Sequence, residues 1–126
     1  MTAPFKSISY TGRHPGRRLI VLGGVHGNET CGTAAIERVV GDIEAGAIEM
    51  MAGRVTFVPV ANPLALERRQ RAGDRNLNRG LAPSETPREY EDHVANWLCP
   101  LLEQHEVRLD PAFVSGWRRT VRDART

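Results

Sequence analysis

Arg18-Leu19-Ile20-Val21-Leu22-Gly23-Gly24-Val25-His26-Gly27-Asn28-Glu29-Thr30 decides how this chain folds. Arg18 to Gly23 is a continuous leucine and β-branched run closed by paired glycines, the pattern of a strand buried on both faces of a parallel sheet. From Glu29 the apolar period changes. Cys31, Ala34, Ala35, Val39 and Ile43 fall on one helical face, and the helix is expected to end near Gly46. Arg54-Val55-Thr56-Phe57-Val58-Pro59-Val60 repeats the buried-strand pattern and is stopped by Asn62-Pro63. Strand, helix, strand is a βαβ unit, for which a right-handed crossover and a parallel sheet are expected.

Outward from this unit the signals weaken. Phe5 to Tyr10 alternates apolar and polar residues before Thr11-Gly12, which suits a short edge strand. Residues 63–86 are rich in Arg, Asn, Gly and Pro and read as one long connection, the kind that is usually functional or disordered. Thr86-Pro87 looks like a cap followed by a first-turn proline. The helix it would open has Val94, Trp97, Leu98, Leu101 and Leu102 as its inner face. Val107 to Leu109 starts a third strand, stopped by Asp110-Pro111. The expected fold is three-layer α/β with a short, mostly parallel sheet.

At 126 residues the chain suits one domain, and its 40% hydrophobic and 25% charged residues suit a globular one. No apolar run approaches the ~20 residues of a membrane helix, and Met1 to Lys6 shows no export signal. Two cysteines, Cys31 and Cys99, form no Cys-x-x-Cys pair, which favours a reducing, cytoplasmic setting. The net charge of +2 is local: residues 111–126 hold four arginines against Asp123, so residues 1–110 are net negative by one charge. A solvated terminal run is the ordinary meaning of such a tail. Nucleic-acid binding through it would show as salt-sensitive association lost on removing residues 111–126, and the 6% aromatic content, not interleaved with the basic residues, does not call for it.

Ligands of open α/β sheets gather at the carboxyl ends of strands. The loop at Gly23 to Thr30 lies there, yet it has neither dinucleotide-binding nor P-loop spacing. It has instead an imidazole, His26, and a carboxylate, Glu29, three residues apart, able to converge on a divalent metal. The structural alternative is a helix-capping carboxylate beside a polar loop histidine. Arg71-Ala72-Gly73-Asp74-Arg75-Asn76-Leu77-Asn78-Arg79 is the second unusual stretch. It is either an exposed loop of solvated charges or a carboxylate-binding one, with Arg71 and Arg79 as bidentate donors and Asn78 as an amide donor.

Taken together, Gly23-Gly24-Val25-His26-Gly27-Asn28-Glu29, Asn62-Pro63, Arg71 and Asn76-Leu77-Asn78-Arg79 resemble the succinylglutamate desuccinylase/aspartoacylase family of zinc carboxypeptidase-like hydrolases, over roughly residues 17–105. The resemblance implies a zinc-dependent hydrolase that cleaves the amide bond of an N-acyl amino acid. It implies Zn2+ on His26 and Glu29, and substrate carboxylates on Arg71 and Arg79 with Asn78 beside them. The family pattern has Asp where this chain has Asn76.

The match stops near residue 110. The family's third zinc ligand is a histidine after the next strand, whereas this chain reads Leu109-Asp110-Pro111-Ala112-Phe113. Its catalytic glutamate comes far later, so no catalytic residue is assigned. His105 and Glu106 precede the strand and should lie at its opposite end; His93 and Cys99 belong to a helix covering the sheet. Residues 1–110 are therefore expected to be the N-terminal part of a zinc carboxypeptidase-like catalytic domain, and 111–126 a basic tail, frame-shifted or disordered. Such a chain would be weakly active or inactive, or a non-catalytic metal- or carboxylate-binding fragment. An uncovered sheet edge would make it marginally stable or self-associating.

Overall fold

Side chains alternate across a strand, so Leu19 and Val21 serve one face of the sheet and Ile20 and Leu22 the other. Each pair finds its own core. In the computed structural model, which describes residues 2–109, the strands are β1 (Ile8–Thr11), β2 (His14–Leu22), β3 (Ala52–Val58) and β4 (Val107–Leu109). The helices are α1 (Cys31–Glu44), α2 (Pro63–Arg68) and α3 (Tyr90–Glu103). The sheet order is β1-β3-β2-β4. β2 pairs parallel with both β3 and β4, with Ile20 opposite Thr56 and Arg108, while β1 runs antiparallel along β3. The sheet is thus mixed, and the fold is α/β.

On one face Ile20, Leu22 and Val58 pack with Val94, Ala95, Leu98, Cys99 and Leu102 of α3. On the other, Val55 and Phe57 meet Ile36 of α1, with Leu19, Val21, Val40 and Ile43 partly buried around them. The buried stripe of α1 is therefore Ile36, Val40 and Ile43, which keeps Ile43 from the expected face but replaces Cys31, Ala34, Ala35 and Val39. Cys31, Ala34 and Ala35 are exposed, and Val39 is 36% exposed. The cause lies at the helix start. The Thr33 hydroxyl donates to the Pro59 carbonyl at 2.7 Å, and a Cβ on Gly32 would come within 3.6 Å of Gly23 Cα, so this end is drawn onto the strand ends and the facing stripe is offset. Ala35, Val39 and Ile43 then line an apolar cleft of about 620 Å³ against Leu19, Val21 and Phe57.

The second helix also departs from expectation. α3 starts at Tyr90, not after Thr86-Pro87, because carboxylates satisfy its first donors: Asp92 Oδ2 accepts from the N–H groups of Arg88 (3.0 Å) and Glu89 (3.1 Å), and Asp74 Oδ2 from that of Tyr90 (2.8 Å). Trp97 is 41% exposed, on the flank of the stripe Glu91, Val94, Ala95, Leu98, Leu102 that faces the core. The connection 63–86 opens with six helical residues. Asn62 caps α2 by accepting from Ala65 N at 3.2 Å, Pro63 takes the first turn, and Arg69 closes it in the left-handed region (φ 52°). The tail at 111–126 lies outside the described residues.

Candidate functional site

The mouth of β2 is built by backbone. Gly23 N–H donates to the Val58 carbonyl at 2.9 Å, and Ala61 and Asn62 donate back to the carbonyls of Gly23 (2.8 Å) and Gly24 (2.9 Å), so the ends of β2 and β3 are tied together. At Gly27 only hydrogen fits, since a Cβ would stand 1.9 Å from the Ala65 carbonyl oxygen. α2 thus lies directly against the loop. The Glu29 N–H donates to the His26 carbonyl at 3.2 Å, a turn that folds residue 29 back over residue 26.

That turn brings the expected pair together. His26 Nδ1 lies 3.4 Å from Glu29 Oε2, with the imidazole 3% exposed and the carboxylate 61% exposed. Glu29 does not cap α1, whose N-cap is Thr30. Its other oxygen, Oε1, lies 3.9 Å from Arg71 Nη1. On the ring's far side, His26 Nε2 meets Asn76 Oδ1 at 3.1 Å, and that oxygen also accepts from Asn78 N at 3.0 Å. Asn78 Oδ1 is buried without a hydrogen-bond partner among the described residues, an open acceptor beside this contact. Arg79 is exposed and enters only through its backbone, its N–H donating to the Asn76 carbonyl at 3.1 Å. His26, Glu29, Arg71, Asn76 and Asn78 therefore form one connected group, and the Arg79 guanidinium stands outside it.

Among the described residues no three His, Cys, Asp or Glu side chains converge as a metal-binding group. His105 is used elsewhere: its Nδ1–H donates to the Leu101 carbonyl at 2.7 Å, and Nε2 accepts from the Thr56 hydroxyl at 2.9 Å. Glu106 accepts from Arg18 N at 2.8 Å, well down β2 from the mouth. His93 is exposed on α3, and Cys99 is buried in the core.

The catalytic-domain model of the succinylglutamate desuccinylase/aspartoacylase family matches residues 15–107. The chain belongs to this family. A solved aspartoacylase family protein from Mesorhizobium loti is 28% identical with a TM-score of 0.73, covering 84% of this chain and 33% of its own. The succinylglutamate desuccinylase of Vibrio cholerae is 28% identical with a TM-score of 0.59, covering 71% and 26%. A Rhodobacter sphaeroides succinylglutamate desuccinylase/aspartoacylase, at 22% identity and TM-score 0.69, shares the fold over 82% and 32%. This chain spans about a third or less of the length of these solved structures. No curated protein matches it.

In this succinylglutamate desuccinylase/aspartoacylase relative, the residues that hold the second loop were not singled out in the sequence. Glu91, fully buried on the first turn of α3, accepts at Oε1 from Asn62 Nδ2 (3.1 Å), Gly73 N (2.8 Å) and Asp74 N (3.1 Å), and at Oε2 from Asp74 N and Arg75 N (both 3.2 Å). Asp92 Oδ1 accepts from Arg75 Nε (3.2 Å) and Nη2 (2.9 Å), and Arg75 Nη1 reaches on to the Arg79 carbonyl at 2.6 Å. The backbone N–H groups of Arg88 and Glu89, with the Arg75 guanidinium, hold the Asp92 carboxyl at about 2. Leu77, fully buried with Leu81 among the α3 residues, anchors the loop from inside. A lone leucine between two asparagines is the sequence signal for that anchor. The pairing of Glu91 with residues 73–75 has no such signal.

Proposed function

We propose that this chain carries the first half of a zinc centre for hydrolysing the amide bond of an N-acyl amino acid, on a three-layer, mostly parallel scaffold of the zinc carboxypeptidase-like class. The observation that carries the proposal is the 3.4 Å separation of His26 Nδ1 and Glu29 Oε2 at the mouth of β2. Two donors sharing one tetrahedral zinc at about 2.0–2.1 Å stand about 3.3–3.4 Å apart, so the pair fits without rearrangement. An imidazole and a carboxylate are also a donor set that zinc accepts. When bound, zinc lowers the pKa of a coordinated water and polarises a carbonyl.

The chain's own residues would do the rest of the binding. Arg71, already beside Glu29, presents a planar cation to a substrate carboxylate. Arg79 adds a second exposed cation, and Asn78 offers its amide beside them. A catalytic zinc normally has three protein donors, and no histidine follows His105 in the sequence. Turnover by this chain alone is therefore expected to be weak. The same shortage favours the second reading, a metal- or carboxylate-binding fragment without catalysis. The unpaired thiols of Cys31 and Cys99 support a cytoplasmic setting. Self-association through the uncovered sheet edge is the expected behaviour.

Metal reconstitution of the purified chain tests the proposal, with zinc content measured alongside hydrolysis of N-acetyl-aspartate and N-succinyl-glutamate. One zinc per chain, lost in Glu29→Gln, together with turnover lost in Arg71→Met, is the expected result. Zinc without turnover selects the binding fragment. Zinc uptake equal in wild type and Glu29→Gln overturns the assignment.

A further inference from the structure

We infer that Asn76 is a positioning residue that locks the His26 ring with Nδ1 bare toward a cation, and that its neutral amide gives the centre a weaker grip than a carboxylate at that position would. The inference rests on the metal assignment above and adds a residue that touches neither the metal nor the substrate.

The orientation of the Asn76 amide is fixed by its neighbour. The Asn78 backbone N–H donates to it at 3.0 Å, and an N–H can only donate, so the atom received there is the oxygen. The same oxygen faces His26 Nε2 at 3.1 Å. An oxygen acceptor at that distance calls for the hydrogen on Nε2, and a neutral imidazole then carries none on Nδ1. Nδ1 in turn faces Glu29 Oε2 at 3.4 Å. Two acceptors aimed at one another repel unless positive charge lies between them. Arg71 does not supply it, because its guanidinium approaches the other carboxylate oxygen, Oε1, at 3.9 Å. With the ring buried, turning it over would forfeit the contacts on both sides at once.

A carboxylate accepting from a ligand histidine raises the ligand's basicity as well as orienting it. Asn76 keeps the orientation and omits the charge. Among the described residues Glu29 is then the only anion in contact with the ring, and Arg71 partly offsets it.

Long-range ¹H–¹⁵N correlation spectra of the ¹⁵N-labelled full chain, recorded where the ring is neutral, show which nitrogen of His26 holds the proton. Zinc titration calorimetry on wild type, Asn76→Asp and Asn76→Leu measures the grip. We expect the Nε2–H form in the metal-free wild type, with zinc affinity rising about tenfold in Asn76→Asp and falling about tenfold or more in Asn76→Leu. An Nδ1–H form in wild type overturns the lock even if zinc binds. Affinities of both variants within about twofold of wild type overturn the claim that Asn76 sets the grip. A wild type that shows the Nε2–H form and takes up no zinc upholds the lock and refutes the metal assignment, so the two failures are distinguishable. If Asn76→Leu does not fold, the wild-type spectrum and the Asn76→Asp titration decide alone.

Discussion

Replacing Glu91 by alanine removes one side chain and strands four donors. Its two oxygens accept from the N–H groups of Gly73, Asp74 and Arg75 and from the Asn62 side-chain amide. A buried donor left unpaired costs about 1–3 kcal/mol, with the lower end fitting sites that water can partly reach. The three backbone contacts are half-buried and the Asn62 contact is fully buried, which places the total at roughly 4–6 kcal/mol, a large share of the ~5–15 kcal/mol that holds a typical domain folded. Glu91→Gln preserves shape and one acceptor but turns an NH₂ group toward N–H donors, so about 2 kcal/mol is expected. Urea unfolding followed by circular dichroism measures both, with Glu37→Ala, on the exposed side of α1, as a control expected within about 0.5 kcal/mol of wild type. If Glu91→Ala is too unstable to measure, Glu91→Gln carries the test. A Glu91→Gln midpoint indistinguishable from that of the control would refute the claim that this carboxylate holds the 71–79 loop.

Gly27→Ala should destabilise by about 3 kcal/mol or more, because its Cβ would overlap the Ala65 carbonyl; Gly41→Ala, where a Cβ meets nothing within 4 Å, should stabilise by about 0.5–1 kcal/mol, and thermal melts of the two should move in opposite directions. The Asp92 carboxyl is held at about 2 against an ordinary 3.8, so its contribution is present above about pH 4 and lost as pH falls toward 2. For a side chain 19% exposed this amounts to about 1–2 kcal/mol, and Asp92→Asn should abolish that part of the acid dependence in urea midpoints taken at about pH 5 and about pH 2.5. Burial pushes the Cys99 thiol up to about 12, while Cys31 is exposed. A thiol reagent at mildly alkaline pH should therefore modify one cysteine quickly and the second only after unfolding; two fast thiols would contradict the packing of α3.

The central strands were legible because a continuous apolar run between glycine or asparagine-proline stops leaves the chain few alternatives. The pairing of His26 with Glu29 was legible because three residues across a tight turn bring two side chains to one place whatever surrounds them. The start of α3 was misread at Thr86-Pro87, since the donors it had to satisfy are met by Asp92 and Asp74, one inside the helix and one on another loop. α2 was missed although Asn62-Pro63 carries the same cap-and-proline signal. Its six residues are too few for apolar periodicity to show. The inner face of α1 was offset because Gly32 and Thr33 dock against Gly23 and Pro59, contacts between segments up to 26 residues apart.

By itself the sequence determined the βαβ frame, the loop that bears the imidazole and carboxylate, and the family to which both point. These follow from short-range pattern, where neighbours along the chain are neighbours in space. The tertiary structure alone decided that Asn76 comes under His26 across a separation of 50 residues, and that a carboxylate on α3 holds the arginine loop. Hydrogen bonds between distant segments leave no periodic trace, because any polar residue can fill such a position until the fold brings its partner to it.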